Sequence, residues 1–336
     1  MNKLNYIITI DGGTTNTRAI LWDENRNFID NEVYEVGVRN TAIDENNTLL
    51  KKTVTKCLDS LLLRNSLSYD DIKSIVASGM ITSNVGLVEI PHVLAPVDID
   101  GLANSIKPIL LEEVCPIPIW FIPGIKNNYN DVNLNNYEEM DIMRGEEVES
   151  IYLIDKYFTG EPLILILPGS HTKIVSVNSE GKISGCLTTI SGELLSAITY
   201  NTIIADAVGR NFVGNNYSKE MIIKGFNNAN KVGLSRACFS GRILNQFLIS
   251  DKEKVANYIL GCMLQNDIYA LKNTSTLTIS ENTMVIVAGK NPLRQAFVDL
   301  LEYDKTFKKI INHESDEKEP MSAIGAYLIA YKRNIV

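Results

Sequence analysis

The sequence predicts an α/β protein of two lobes with a cleft between them, and three observations carry that prediction. The chain opens with β-rich runs separated by polar turns. The run 6–10 ends at Asp11-Gly12-Gly13, 17–23 resumes it, and 28–36 follows the turn Asn25-Arg26-Asn27. The same opening returns in the second half, where the strand 163–167 stops at Pro168-Gly169 and the runs 173–177 and 182–187 flank the turn 178–181. Helices mixed with short apolar strands then complete each half. What repeats is the architecture, since no stretch of sequence recurs.

The elements follow in order. Residues 48–64 have the apolar spacing of an amphipathic helix. The run 72–77 is a buried strand ending in Ser78-Gly79-Met80, and 117–122 is another ending in Pro123-Gly124. Residues 126–141, rich in Asn and Asp, read as a loop. A helix is expected over 144–157, then helices at about 193–208, 218–228, 235–248 and 253–272. The strand 284–288 runs into Gly289, a helix starts near Leu293, and 320–333 is the last helix. The expected division is an N-terminal lobe over 1–141 and a C-terminal lobe over 142–336, with the last helix able to pack back on the first lobe.

Composition narrows the function classes. The 336 residues, 45% apolar and 21% charged, suffice for two cores. A formal charge of −8 argues against nucleic acid as a partner, which needs a basic footprint. No apolar run approaches the roughly 18 residues of a membrane span. The first residues lead into a strand without the length of a signal peptide, so a cytoplasmic location is expected. The five cysteines (57, 115, 186, 238 and 262) form no C-x-x-C pair and read as buried hydrophobes. The three histidines (92, 171 and 313) lack zinc-site spacing. An anionic small substrate would need a local cluster of positive groups.

Five segments carry chemistry. In Asp11-Gly12-Gly13-Thr14-Thr15-Asn16-Thr17-Arg18, small residues let backbone N–H groups approach phosphate oxygens, and Thr14, Thr15 and Asn16 add side-chain donors. Asp11 at a strand end suits Mg²⁺, which keeps its waters and takes few carboxylates. An ordinary hairpin turn is the plainer reading of Asp-Gly. Pro168-Gly169-Ser170-His171-Thr172-Lys173 is a second such turn, with Lys173 adding charge. Ala288-Gly289-Lys290 lets a base or ribose pass close to the backbone. Met143-Arg144-Gly145-Glu146-Glu147 offers a carboxylate to accept a substrate hydroxyl's proton, although acidic residues also favour a helix's first turn. Met80, Ser83 and Asn84 lie in a strand-to-loop segment suited to sugar hydroxyls.

Taken together, D-G-G-T-T-N-T-R, S-G-M-I-T-S-N-V-G, I-P-G, M-R-G-E-E, P-G-S-H-T-K, S-G-E-L and V-A-G resemble, in this order, the 2-dehydro-3-deoxygalactonokinase family over about residues 6–330. The resemblance implies two actin-like (ribonuclease H-like) lobes and phosphorylation of 2-dehydro-3-deoxy-D-galactonate at its 6-hydroxyl by MgATP, in galactonate breakdown. It places Asp11, Gly12, Gly13, Thr14, Thr15, Asn16 and Arg18 on the first phosphate block. Gly169, Ser170, His171 and Lys173 fall on the second, and Gly289 on the adenosine side, where this chain follows it with Lys290 as a further candidate in place of the family's usual small hydroxyl residue. Glu146 holds the position of the superfamily's catalytic Asp, with Asp131 as the rival base. Met80, Ser83, Asn84, Arg144 and Glu193 are the substrate contacts it implies.

The expected partners are ATP and a small sugar acid, without nucleic acid or membrane, and a homodimer is allowed for. Arg18, Arg144, Lys173 and Lys290 are the basic residues inside motifs that could supply the positive cluster. A kinase for a neutral sugar or amino sugar, and a non-catalytic actin-like regulator, stand as the other readings.

Overall fold

A computed structural model describes residues 5–128, 131–211, 216–280, 282–316 and 320–336. Tyr129 and Asn130, inside the expected Asn/Asp loop, lie outside them, as do residues 1–4. The chain divides into two compact units. The first comprises Met1–Thr159, Gly181–Gly185 and Asp316–Val336, and the second Gly160–Glu180 and Cys186–Ser315. The change of unit at Thr159 falls later than the division expected after Asp141, because the helix that follows residue 145 packs on the chain's last helix.

In the first unit the strands and helices are β1 (Tyr6–Gly12), β2 (Thr17–Trp22), β3 (Phe28–Tyr34), α1 (Val38–Asp44), α2 (Thr48–Arg64), β4 (Ile72–Gly79), β5 (Val93–Leu94), α3 (Ile99–Ser105), β6 (Lys107–Ile109), β7 (Ile119–Phe121), β8 (Ile125–Lys126), β9 (Ile142–Met143) and α4 (Glu146–Tyr157). The main sheet runs β3-β2-β1-β4-β7-β6 and a small one runs β5-β8-β9. The second unit contains β10 (Leu163–Leu167), β11 (Thr172–Val177), the larger part of β12 (Ile183–Thr189), α5 (Ser191–Asn201), α6 (Lys219–Val232), α7 (Leu234–Phe247), α8 (Lys252–Asn273), β13 (Met284–Ala288), α9 (Leu293–Asp304) and β14 (Lys309–His313). Its sheet runs β12-β11-β10-β13-β14. The last helix, α10 (Met321–Lys332), returns to the first unit.

The two main sheets share one plan. Each starts with an antiparallel meander, and its first strand then pairs in parallel with a later one: β1 with β4, and β10 with β13. The repeated opening seen in the sequence is therefore a repeated sheet order.

Strand β1 is buried on both faces, and its alternation decides what lies on each. Ile8 and Ile10 join Ala19 and Leu21 against α2, in a core with Val54, Leu58 and Leu61. Ile7 joins Ile20 and Trp22 against Ala323, Ile324 and Tyr327 of α10. Thr9 lies on the α10 side too, where its hydroxyl accepts from the Trp22 indole N–H at 2.9 Å. Asp11 continues that parity and ends the strand facing α10. The second unit's core surrounds α8, which is buried along most of its length.

Several boundaries differ from expectation for local reasons. The helix expected over 193–208 stops at Asn201, because the Thr202 hydroxyl donates to Ile198 O and accepts from the Ile204 N–H, diverting the backbone. Helix α1 was not anticipated, being two turns long and too short to show an apolar period. Strand β14 was missed as well, since its partly exposed residues lack a clean alternation.

Helices α4 and α10 meet at Gly325. A Cβ there would stand 1.8 Å from the Val148 carbonyl oxygen, so the helices touch backbone to backbone. Gly325→Ala must push them apart, which should cost about 1–3 kcal/mol. Both tryptophans, Trp22 and Trp120, lie in the first unit. Tryptophan fluorescence during urea unfolding should show a lower midpoint for the variant. An unchanged midpoint would contradict the close crossing.

Candidate active site

The first turn, residues 13–16, joins β1 to β2 with Asp11 opposite Arg18 and Gly12 opposite Thr17. It is closed by the Gly13 N–H donating to Asn16 O at 2.8 Å. The start of α1 lies against it. The Val38 and Arg39 N–H groups donate to Gly13 O at 3.2 Å and Thr14 O at 3.0 Å. Gly37 makes this approach possible, because a Cβ there would be 2.5 Å from Thr14 C and O. The Gly13 and Thr14 carbonyls are thereby occupied. The N–H groups of Thr14, Thr15 and Asn16, all exposed residues, meet no protein acceptor among the described residues. Bonded carbonyls beside free N–H groups give a local positive potential suited to an anion.

Asp11 ends β1 half-buried, its Oδ2 accepting from the Ser322 hydroxyl at 2.8 Å. Burial pushes its pKa above the ordinary carboxylate value, against the pull of the Ser322 hydrogen bond and the Arg18 charge. More carboxylates gather at the start of α4. Glu149 is pushed up to about 8, first by burial and then by Glu146, Asp11 and Glu147. Glu147 is fully buried and also pushed up to about 8, by burial and then by Glu146. Its Oε2 accepts from the Gly145 N–H at 2.6 Å, and its Oε1 has no hydrogen-bond partner among the described residues. Glu146 Oε2 accepts from the Arg144 N–H at 3.2 Å. Glu149 thus feels the charges of Glu146, Asp11 and Glu147.

Arg144 points elsewhere. Its guanidinium donates to Thr82 O at 2.7 Å, to Thr82 Oγ1 and to Ile90 O at 2.9 Å, and it lies beside the His92 ring. These bonds clamp the segment after β4 onto the start of α4. That segment begins with the single 3₁₀ turn Met80–Thr82. Ser83 is buried and its hydroxyl donates to Met80 O at 2.7 Å, whereas Asn84 is exposed. Asp131 is exposed, and its carbonyl accepts from the Asn136 side chain.

The second turn, residues 168–171, is built on the same device. It joins β10 to β11 with Leu167 opposite Lys173. The start of α5 abuts it: the Glu193 N–H donates to Ser170 O at 3.1 Å, and a Cβ on Gly192 would stand 2.1 Å from Gly169 O. His171 Nε2 lies 3.1 Å from Glu193 Oε1, so Glu193 borders this turn. Lys173 is buried and donates to Thr188 Oγ1 at 2.5 Å. Gly289, at φ +123°, comes to the same place, since a Cβ on it would lie 3.2 Å from Pro168 O. Lys290 is exposed. In each unit, then, the structure gathers segments that are far apart in sequence.

Four contributors escaped the sequence reading. Glu149 lies one helical turn beyond Glu146, and that i, i+3 spacing was the available signal. Thr82 lies inside the motif containing Met80 and Ser83. Ser322 gave no signal, because it reaches Asp11 from the far end of the chain. Asp267 lies in an apolar helix and is buried.

Residues 11–319 match the family 2-keto-3-deoxy-galactonokinase. No curated protein matches the sequence. Among solved structures, a 2-dehydro-3-deoxygalactonokinase candidate from Sinorhizobium meliloti superposes with a TM-score of 0.75 at 18% identity, over 96% of this chain and 98% of that one. The activator of 2-hydroxyisocaproyl-CoA dehydratase from Clostridium difficile, with bound ADPNP, gives 0.50 at 13% identity over 98% and 96%. Component A of (R)-2-hydroxyglutaryl-CoA dehydratase from Acidaminococcus fermentans gives 0.50 at 12% identity over 97% and 98%. These likenesses show the actin-like ATPase and sugar-kinase fold. No helix among the described residues is long and apolar enough to cross a membrane.

Glu147 links this site to stability. Folded, it keeps its proton up to about pH 8, whereas its ordinary pKa is 4.5. The folded state therefore binds the extra proton throughout that window. The stability this gives is complete below 4.5 and is lost as pH rises through 8. Glu147→Gln removes the loss. The variant should unfold at higher urea than the parent at pH 8, and the gap should close near about pH 5. A gap equal at both values would contradict the buried, protonated carboxyl.

Proposed function

We propose a specific reaction for a chain that belongs to the 2-keto-3-deoxy-galactonokinase family and is on that ground a sugar-acid kinase: transfer of the γ-phosphoryl group of ATP to the 6-hydroxyl of 2-dehydro-3-deoxy-D-galactonate. The observation that supports it most is the meeting of three carboxylates, Asp11, Glu146 and Glu149, with a turn whose N–H groups are free. An anion-binding turn beside a carboxylate able to take a proton is the equipment for moving a phosphoryl group to an alcohol.

The residues fit Mg²⁺. No group of three or more acidic, Cys or His side chains could enclose a metal among the described residues. Mg²⁺ bound through its waters and the phosphates needs only one or two carboxylates. Burial first, and then the charges of Glu146, Asp11 and Glu147, raise Glu149, and a cation beside Asp11 would relieve the part that comes from these charges. Asp11 would hold the ion's water shell, with Glu149 behind it. The ion, when bound, supplies charge neutralisation on the phosphates.

The chain's own residues do the rest. The N–H groups of Thr14, Thr15 and Asn16 orient phosphoryl oxygens, and the charge of Arg18 lies opposite Asp11. Ser170, His171, Lys173 and Gly289 gather on the nucleotide-binding turn of the second unit. Glu146 takes the proton of the substrate hydroxyl. Glu147 and Glu149 hold protons at neutral pH and so cannot accept one, which leaves Glu146 among the three. Arg144 is a positioning residue here. Its donors fix the segment carrying Met80, Ser83 and Asn84, which we assign to the sugar acid. The acid's carboxylate then needs another cation than Arg144. Activity in the cytoplasm, as part of galactonate breakdown, belongs to the same reading.

Glu146→Gln keeps shape and hydrogen bonding but removes proton acceptance. Its kcat should fall by about 10²–10⁴-fold with near-normal ATP binding, since the transition state of phosphoryl transfer is loose and base removal is only partly felt. Asp11→Asn should lower turnover and alter the Mg²⁺ dependence. Should Glu146→Gln stay active while Asp131→Asn or Glu149→Gln is crippled, the base lies elsewhere.

A further inference from the structure

Helix α8 buries mostly apolar residues, among them Met263, Leu264, Ile268 and Leu271, yet Asp267 lies among them with about 1% of its surface exposed. A carboxylate in such surroundings is costly unless something compensates. Three hydroxyls face it, those of Ser191, Thr189 and Thr172. They pull its pKa down against the burial that pushes it up, leaving it at about 6. Among the described residues no charged group contributes to that balance, and Oδ2 has no hydrogen-bond partner. The hydroxyls also bond to one another. Ser191 Oγ lies 3.0 Å from Thr172 Oγ1 and 3.2 Å from Thr189 Oγ1.

The three hydroxyls come from three separate segments. Thr172 opens β11 directly after the turn 168–171, Thr189 closes β12, and Ser191 opens α5. Beside Ser191, Gly192 and Glu193 make the contacts that seat the turn: the close approach to Gly169 O and the N–H bond to Ser170 O. One carboxylate therefore gathers the strand that leaves the turn and the helix start that backs it. An ionised carboxylate only accepts, so it draws hydroxyl hydrogens inward and fixes their rotors. An apolar residue would pack α8 at less cost but would leave these hydroxyls to one another.

We propose that Asp267 is a positioning residue for the turn 168–171, acting through Thr172, Thr189 and Ser191 to hold the turn in the shape that binds the phosphates of ATP. The proposal rests on the reading of that turn as a nucleotide-phosphate site.

The test is steady-state kinetics on the full chain, varying ATP at saturating sugar acid and then the reverse. Asp267→Asn keeps the volume but weakens acceptance. Its KM for ATP should rise by about tenfold while the KM for the sugar acid stays within about twofold. Ser191→Ala and Thr172→Val should raise the ATP KM alone, and each should add little in the Asp267→Asn background, because linked groups are not additive. An unchanged ATP KM in Asp267→Asn, equal rises in both KM values, or fully additive double variants would overturn the proposal. If Asp267→Asn does not fold, the two hydroxyl variants decide, and an unchanged ATP KM in both overturns it. Lys173→Met separates the two failures. If it raises the ATP KM while Asp267→Asn does not, only the positioning role falls. If it too leaves the ATP KM unchanged, the phosphate reading of the turn falls and takes the proposal with it.

Discussion

The end of β1 imposes the constraint on which the first unit depends. A strand buried on both faces must end in a carboxylate that faces helix α10, and that carboxylate must be tolerated at the edge of a core. The Ser322 hydroxyl makes it tolerable, and Ser322 can reach Asp11 because α10 returns to the sheet that opens the chain. The return is close only because Gly325 lets α10 touch α4 backbone to backbone. The same contact brings α4 alongside, with Glu149 within reach of the charge of Asp11. The opening sheet, α4 and α10 thus converge on Asp11.

A second constraint acts on both turns. In each unit a helix start lies against the hairpin and takes up carbonyls of its turn, Gly13 O and Thr14 O in the first and Ser170 O in the second. Gly37 and Gly192 are the residues at which any side chain would strike the turn. This gives the repeated sheet order a chemical counterpart. Neither turn relies on a Walker-type loop, and each is instead a meander hairpin with a helix backed against it. Asp267 shows that such a turn has support beneath it as well as contacts upon it.

Much of this was legible in the residues. The alternation of Ile7, Ile8 and Ile10, the Gly-rich break after Asp11 and the matching break after Leu167 mark both meanders, because strand burial and turn chemistry are local properties. The 48–64 helix has the bounds its periodicity predicts. Other features were not legible. Ser322 meets Asp11 across nearly the whole chain, and nothing local to Pro320-Met321-Ser322 encodes that meeting. Arg144 read as a cation for an anionic substrate, but its donors go to Thr82 and Ile90, a choice decided by where the 3₁₀ turn falls. The burial of Glu147 and Asp267 depends on tertiary packing, which no spacing rule conveys.

The central claim is that this chemistry serves a keto-deoxy sugar acid. The most direct measurement is ADP release, coupled to a spectroscopic readout, across a panel of 3-deoxy-2-keto sugar acids, other sugar acids, neutral hexoses and amino sugars, with Mg²⁺ and ATP present. The highest kcat/KM is expected for 2-dehydro-3-deoxy-D-galactonate, with the product phosphorylated at its 6-hydroxyl. A neutral hexose turned over with a higher kcat/KM than every 3-deoxy-2-keto acid, or ADP release independent of any acceptor, would contradict it.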